Sequence, residues 1–282
     1  MPELPEVETV CQDLNRLTLG TTIQGGEILL NRTLAYPLSV TEFLTNIVNV
    51  TVNGWERRGK YLLGKLRKES GKNGGFLGFH LRMTGQLLWL NELEPLQNHT
   101  RLRLFCGSGQ ELRFVDIRTF GRLWLVPPNQ NPEIIITGLK KLGPEPFSEE
   151  FSLGYLTEKS RISKRNIKAL LLDQGTLAGL GNIYVDEALF KSGIRPTTIA
   201  KNLNCKQLQR LRISIVEVLK EAIEKRGTTF RNFRGVTGIN GNYGKIAWVY
   251  GRTGEPCRVC GITIERVKLG GRSTHFCPQC QR

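Results

Sequence analysis

The first three residues place a potential nucleophile beside a carboxylate. Removal of Met1, which a small second residue such as Pro2 permits, would leave a secondary amine followed at once by Glu3. A free terminal amine titrates at about 7.7 to 8.0, so a usable fraction is neutral at physiological pH, unlike lysine. Condensed with an aldehyde, a pyrrolidine nitrogen gives an iminium with no N–H to lose. Such an adduct is an electron sink, following the covalent logic of a lysine Schiff base. A frayed acidic terminus is the competing expectation on these residues alone.

The other end of the chain carries Cys257-x2-Cys260-x16-Cys277-x2-Cys280. Two such knuckles supply four thiolates for one closed tetrahedral Zn2+ site, and with no open coordination position the metal is expected to be structural. Arg266, Lys268, Gly270, Gly271 and Arg272 lie between the knuckles; a stapled loop of this kind can grip phosphate or simply be solvated. His275 would be a surplus ligand and reads as packing or a phosphate contact. Cys11, Cys106 and Cys205 read as core thiols. An odd cysteine count without an export signal points to a reducing, cytoplasmic compartment.

Further polar groups fall in glycine-marked segments. Gly179-Leu180-Gly181-Asn182 opens a helix and could present backbone N–H groups to an anion, or be a plain turn with an Asn cap. Arg57-Arg58-Gly59-Lys60-Tyr61, His80-Leu81-Arg82-Met83-Thr84-Gly85 and Asp116-Ile117-Arg118-Thr119-Phe120-Gly121 mix charge, aromatics and glycine. Met83 and Phe120 read as core residues or as wedges that fill a duplex beside an extruded nucleotide. Residues 227 to 244 hold five glycines, three aromatics and two arginines, as a surface loop or a cap over a flipped base.

These groups need elements to position them. Leu4, Val7, Val10, Leu14 and Leu17 make a helical stripe with Pro5 in the first turn and Gly20 as the stop, which puts Pro2 and Glu3 at the positive helix end, where protonation of the amine is disfavoured. Residues 21 to 126 read mainly as strands of an antiparallel sandwich or barrel. A proline-rich connection follows. Beyond it the pattern is helical, ending in a long helix from Lys206 to Arg226 with Leu208, Leu211, Ile215, Val218, Leu219 and Ile223 inward. The predicted fold class is α+β multidomain. Its parts are residues 1–130 as a sandwich, 131–147 as a linker, 148–245 as a helical domain and 246–282 as a zinc finger.

Composition agrees with an anionic partner. The 282 residues carry a net charge of +15 with a pI near 9.8, which suits nucleic acid. Residues 1–150 hold 17 Lys/Arg against 16 Asp/Glu, and residues 151–282 hold 23 against 9. No apolar run approaches a membrane span. No dinucleotide or Walker fingerprint indicates a nucleotide cofactor.

Taken together, Met1-Pro-Glu-Leu-Pro-Glu-Val-Glu, Arg-Gly-Lys60-Tyr, His80-Leu-x-Met, Asp116-x-Arg-x-Phe-Gly, Leu142-Gly-Pro-Glu-Pro, Gly181-Asn-Ile-Tyr, Val249-Tyr-Gly-Arg and the knuckles resemble the formamidopyrimidine-DNA glycosylase family across the whole chain. The resemblance implies an N-terminal β-sandwich, a helix-two-turns-helix domain, a zinc-finger hairpin held by four cysteines, and a monomer. It implies excision of oxidised purines from duplex DNA, followed by strand cleavage at the abasic site. By resemblance Pro2 attacks C1′, Glu3 moves the proton at the sugar ring and Glu6 positions sugar or base. Lys60 acts at the sugar-phosphate, and Arg272 grips phosphate and assists the second elimination. Met83, Arg118 and Phe120 fill the duplex. His80, His99, Lys164, Lys168 and Asn182 contact DNA. The competing readings are an endonuclease VIII-like enzyme for oxidised pyrimidines and a non-catalytic zinc-ribbon DNA-binding protein.

Overall fold

The computed structural model describes residues 1–228, 236 and 241–282. Most of the 227–244 segment, expected as a base cap, lies outside the described residues. The chain forms two compact units. One comprises Met1–Lys140 with Thr228, Val236 and Gly241; the other comprises Lys141–Gly227 and Asn242–Arg282.

The first unit begins with α1 (Leu4–Thr18). Its apolar stripe is fully used, with Leu4, Val7, Val10 and Leu14 buried. Asn15 docks the helix on the sheet, because its Oδ1 accepts the Trp55 N–H at 2.8 Å and its Nδ2 donates to the Trp55 carbonyl at 2.9 Å. Nine strands follow with one intervening helix: β1 (Thr22–Ile28), β2 (Leu34–Tyr36), α2 (Val40–Ile47), β3 (Val50–Arg58), β4 (Tyr61–Lys68), β5 (Asn73–His80), β6 (Gly85–Asn91), β7 (Thr100–Cys106), β8 (Gln110–Asp116) and β9 (Arg122–Val126). All belong to one sheet of order β2-β9-β5-β4-β3-β1-β7-β8-β6. The unit closes with the short α3 (Pro132–Ile135).

That sheet folds back over itself. β5 and β8 are five places apart in strand order, about 24 Å in a flat sheet at about 4.8 Å per strand. Their Phe79 and Phe114 rings nevertheless lie 5.6 Å apart. The inner faces therefore meet as a sandwich, around a core that runs from Val7 and Leu14 to Trp55, Leu77 and Leu123. One pair departs from the antiparallel expectation, since β2 runs parallel to β9. Val236, expected in a surface or capping loop, is buried in this core, and its carbonyl accepts the Trp89 N–H at 3.2 Å.

The second unit contains α4 (Leu153–Arg161), α5 (Ile167–Leu172), α6 (Asn182–Ser192), α7 (Cys205–Glu224) and α8 (Tyr243–Ile246). Ser152 and Asn166 cap α4 and α5 by accepting the Tyr155 and Ala169 N–H groups. Asn204 and Gln207 form a reciprocal capping box on α7. The inner face of α7 is the predicted one, except that Ala222 is fully buried and Ile223 only partly. The chain ends in the hairpin β10 (Glu265–Leu269) and β11 (Arg272–Phe276). Among the described residues no helix is long and apolar enough to cross a membrane.

Candidate active site

In the first unit the N-terminal turn is packed, not frayed. Pro2 is buried, and Glu3 and Glu6 are 2% and 1% exposed. Glu3 is the N-cap of α1, and Glu6 completes a capping box by accepting the Glu3 N–H through Oε2 at 2.8 Å. Glu6 Oε1 accepts the Thr228 N–H at 2.7 Å. One carboxylate thus holds both the residue after Pro2 and the start of the 227–244 segment. In the chain with Met1 attached the Pro2 nitrogen is an amide, so it becomes an amine only when Met1 is removed.

Lys60 sits beside Gly59 in the two-residue turn between β3 and β4, where Gly59 has φ +56°. The turn is braced from α1. Arg57 pairs with Glu8 at 2.7 Å while its Nη1 donates to the Gly59 carbonyl at 3.1 Å. His80, at the end of β5, packs edge-on against Tyr61 with centroids 4.5 Å apart. Burial, then the Arg82 and Lys60 cations, push its imidazole down to about 3. It is therefore neutral. Its Nδ1 accepts the Arg82 N–H at 3.0 Å, which leaves Nε2 as the N–H donor.

Met83, Arg118 and Phe120 emerge together from two turns, with Met83 37% and Phe120 50% exposed. The Arg118 guanidinium lies 5.0 Å from the Phe120 ring centroid. What joins the turns is Asp116, which is 1% exposed. Its carboxylate accepts the Thr84 hydroxyl and, at 2.7 Å, the Gly121 N–H, and Thr84 Oγ1 accepts the Arg118 N–H at 2.9 Å. Only glycine fits at 121, because a Cβ there would lie 2.4 Å from the Phe114 ring. His99 is exposed with φ +69°, and its carbonyl accepts the Asp116 N–H at 3.0 Å. Asp116 was visible in its motif, and the signal that it organises the turns is an acid that ends a buried strand directly after Phe114 and Val115.

In the second unit Gly270-Gly271 turns the terminal hairpin with φ +54° and +79°, the double positive φ that glycine supplies most readily. Arg272 follows it at the exposed tip. The next carbonyl, of Ser273, accepts from Lys168 Nζ and from Asn182 Nδ2, both at 3.0 Å. Lys168 also pairs with Asp186 at 2.6 Å and is 1% exposed. Lys168, expected at a phosphate, thus has its ammonium bonded to α6 and β11 in this structure. His275 belongs to the same cluster, its N–H donating to Asp186 at 2.8 Å. Lys164 is exposed.

The glycine turn before α6 departs from the Asn-cap reading by one residue. Gly181 is the N-cap and Asn182 the first helical residue. The Gly179 N–H, one of those read as open to an anion, donates to Gln174 Oε1, and the preceding Ala178 N–H donates to the Pro144 carbonyl.

Sγ atoms of Cys257, Cys260, Cys277 and Cys280 lie within 4.8 Å of one another, with Cys257 to Cys280 at 3.9 Å and Cys260 to Cys277 at 3.5 Å. Tetrahedral Zn–S bonds of about 2.3 Å require S···S near about 3.8 Å. The donor set fits one structural zinc with all four positions filled by protein.

Residues 1–123 match the profile of the formamidopyrimidine-DNA glycosylase N-terminal domain, 142–234 that of its H2TH domain, and 254–282 that of the zinc finger found in FPG and IleRS. The formamidopyrimidine-DNA glycosylase of Rippkaea orientalis is 69% identical over 281 residues, covering 100% of both chains. The chain belongs to the formamidopyrimidine-DNA glycosylase family. The Crocosphaera subtropica family member is 66% identical, covering 100% of this chain and 98% of its own. Among solved structures, Lactococcus lactis Fpg with abasic-site DNA aligns with a TM-score of 0.89 and 35% identity over 99% of each chain. The wild-type Lactococcus lactis protein with oxidised-pyrimidine DNA aligns with the same score and identity over 100% of each chain. Membership in a glycosylase family removes the non-catalytic zinc-ribbon reading: this is a DNA glycosylase with a zinc finger.

Proposed function

We propose that this glycosylase removes oxidised purines, 8-oxoguanine and formamidopyrimidines, from duplex DNA and then cleaves the strand at the resulting abasic site. The observation that supports it most is the buried N-terminal turn, which holds Pro2 and Glu3 at the positive end of α1. The Pro2 amine attacks C1′, the bond to the base breaks, and the base leaves with the electron pair and takes up a proton. Glu3 delivers a proton to the ring oxygen as the sugar opens, leaving an iminium between Pro2 nitrogen and C1′. The iminium acidifies the 2′ hydrogen, so the 3′ phosphate departs by β-elimination and the 5′ phosphate by δ-elimination. Hydrolysis frees Pro2, and a one-nucleotide gap with phosphate ends remains.

Lys60, in its braced turn, and Arg272, on the zinc hairpin, serve the sugar-phosphate and the eliminations. Glu6 holds the N-terminal turn for the incoming sugar. Met83, Arg118 and Phe120 fill the space left by the extruded nucleotide, which offsets part of its unstacking cost of a few kcal/mol. His80, His99, Lys164 and Asn182 contact the DNA. The bound zinc keeps the hairpin folded and takes no part in the bond changes. The protein acts as a cytoplasmic monomer. Borohydride treatment on a duplex with 8-oxoguanine opposite cytosine is expected to trap a covalent protein–DNA adduct. No adduct on any oxidised-base or abasic duplex would overturn the proposal. A stronger adduct and faster excision on oxidised pyrimidines would favour the endonuclease VIII-like preference.

Asp116→Asn tests the wedge separately. A neutral amide cannot accept from both Thr84 and Gly121 as the carboxylate does, and a hydrogen bond to a charged group is worth about 1.5 to 3 kcal/mol. Single-turnover excision of 8-oxoguanine is expected to slow by about tenfold or more. Cleavage of a preformed abasic site, where no base has to be unstacked, should fall much less. Equal losses on both substrates would mean that the turns serve general stability instead of extrusion.

A further inference from the structure

Arg113 is wholly buried and lies outside every segment that pointed to chemistry in the sequence. Its place follows from the strand order. β6 and β7 both pair antiparallel with β8, on its two sides, so they run in the same direction. β6 ends with Asn91 opposite Gln110, and β7 begins with Thr100 opposite Val115. The connection, residues 92–99, must therefore travel back along the length of β8. That is about 17 Å at about 3.4 Å per residue, a distance eight extended residues can cover. It is a strap lying over a strand, without a ladder of its own along that path.

Arg113 is what grips the strap. Its Nη1 donates to the Pro95 carbonyl and to Gln97 Oε1, both at 2.8 Å, and its Nη2 donates to the Glu94 carbonyl at 2.7 Å. Nε pairs with Glu111, which is itself fully buried and accepts from Arg103 at 2.8 Å. Arg103 stands directly across the ladder from Arg113. Glu111 lies between the two opposed cations, and Glu27, 3.2 Å from Arg103, supplies the second negative charge that balances them. The planar guanidinium spans three acceptors at once, which a lysine ammonium on a flexible stem does not reproduce. The strap ends at His99, whose carbonyl is held by the Asp116 N–H.

We propose that Arg113 is a positioning residue for DNA binding: by fixing where the 92–99 strap lies along β8, it sets the place of the His99 imidazole. This rests on the reading of His99 as a DNA phosphate contact. Glu111 and Arg113 then hold the phosphate-contact strap while Asp116, three residues on, holds the wedge turns, so one strand sets the spacing between the two.

The test is a double-mutant cycle on binding to a duplex carrying a stable tetrahydrofuran abasic analogue. His99→Ala is expected to weaken affinity about tenfold, the weight of one charge-assisted hydrogen bond. Arg113→Lys and Gln97→Ala should each weaken it by a similar or smaller factor, and their effects should vanish in the His99→Ala background. Gln97→Ala removes one strap contact and leaves the Arg113–Glu111 pair intact, so it carries the test if Arg113→Lys does not fold. Additive losses in the His99→Ala background, or no loss with Gln97→Ala, would overturn the positioning role while leaving His99 a DNA contact. Unchanged affinity for His99→Ala alone would overturn both.

Discussion

Retention of Met1, or any tag joined to Pro2, is expected to abolish borohydride trapping and to slow base excision by at least about 10^3, the scale on which loss of a nucleophile is felt. The amide so formed delocalises the nitrogen lone pair, which is then no longer available to attack C1′. DNA affinity should change by less than about threefold, because Met1 is exposed while Glu3 and Glu6 keep their capping box. Pro2→Gly gives an intermediate outcome. Its primary amine still condenses with the sugar aldehyde, but the imine can lose its proton and with it the electron sink. The measurements are intact mass, to verify the terminus, and single-turnover excision with trapping on an 8-oxoguanine duplex. Full trapping with Met1 in place would remove Pro2 from the mechanism and move attention to Lys60.

Removing zinc is the second large effect, and magnitudes decide its size. Among the described residues the terminal hairpin packs on a small cluster of Phe190, Val249, Cys257, Ile264 and Cys277, with Cys280 alongside. Its β11 is tied to α6 and α5 through Asp186, Asn182 and Lys168. Such bonds contribute about 1 kcal/mol each, up to about 3 where charged. Binding of a structural zinc contributes about 10 kcal/mol or more. The tether cannot replace the metal, so chelation or Cys260→Ser is expected to unfold the hairpin and displace Arg272. Strand cleavage and abasic-duplex affinity should fall together by at least about 10^2, roughly 2.7 kcal/mol. Gel-based cleavage, equilibrium binding and zinc content by metal analysis check this on the whole chain. A zinc-free protein that cleaves at the normal rate would show that Arg272 is held by the α6 tether alone.

The parts legible in the sequence are those encoded within one element. The α1 stripe, the alternation of the strands, the amphipathic α7 and the paired knuckles each depend on residues a few positions apart. Their periodicities of about 3.6 and 2 and the x2 spacing of the cysteines are local quantities. The Gly270-Gly271 turn is legible for the same reason, since a two-residue hairpin asks for positive φ at both positions. Family motifs added names for the groups at Pro2, Lys60 and Arg272.

Packing supplied what periodicity could not. Lys168 lies in a basic stretch and reads as a phosphate contact, yet α5 delivers it to Asp186 eighteen positions along the chain and to Ser273 in the terminal hairpin. Gly179 reads as an open turn, yet Gln174 consumes its N–H. Val236 reads as part of a surface or capping loop, yet it is buried in the core of the sandwich.

The amine beside a carboxylate and the four-thiolate metal site were thus readable from the chain itself, because adjacency and dipeptide spacing already bring their atoms within bonding range. Whether Pro2 is buried or frayed, which basic residues face solvent and which are spent inside, and how β8 carries both the His99 strap and the Met83, Arg118 and Phe120 turns were decided by tertiary structure. A buried charge or an exposed aromatic is defined by its surroundings, and those surroundings are assembled from strands that share no sequence neighbourhood.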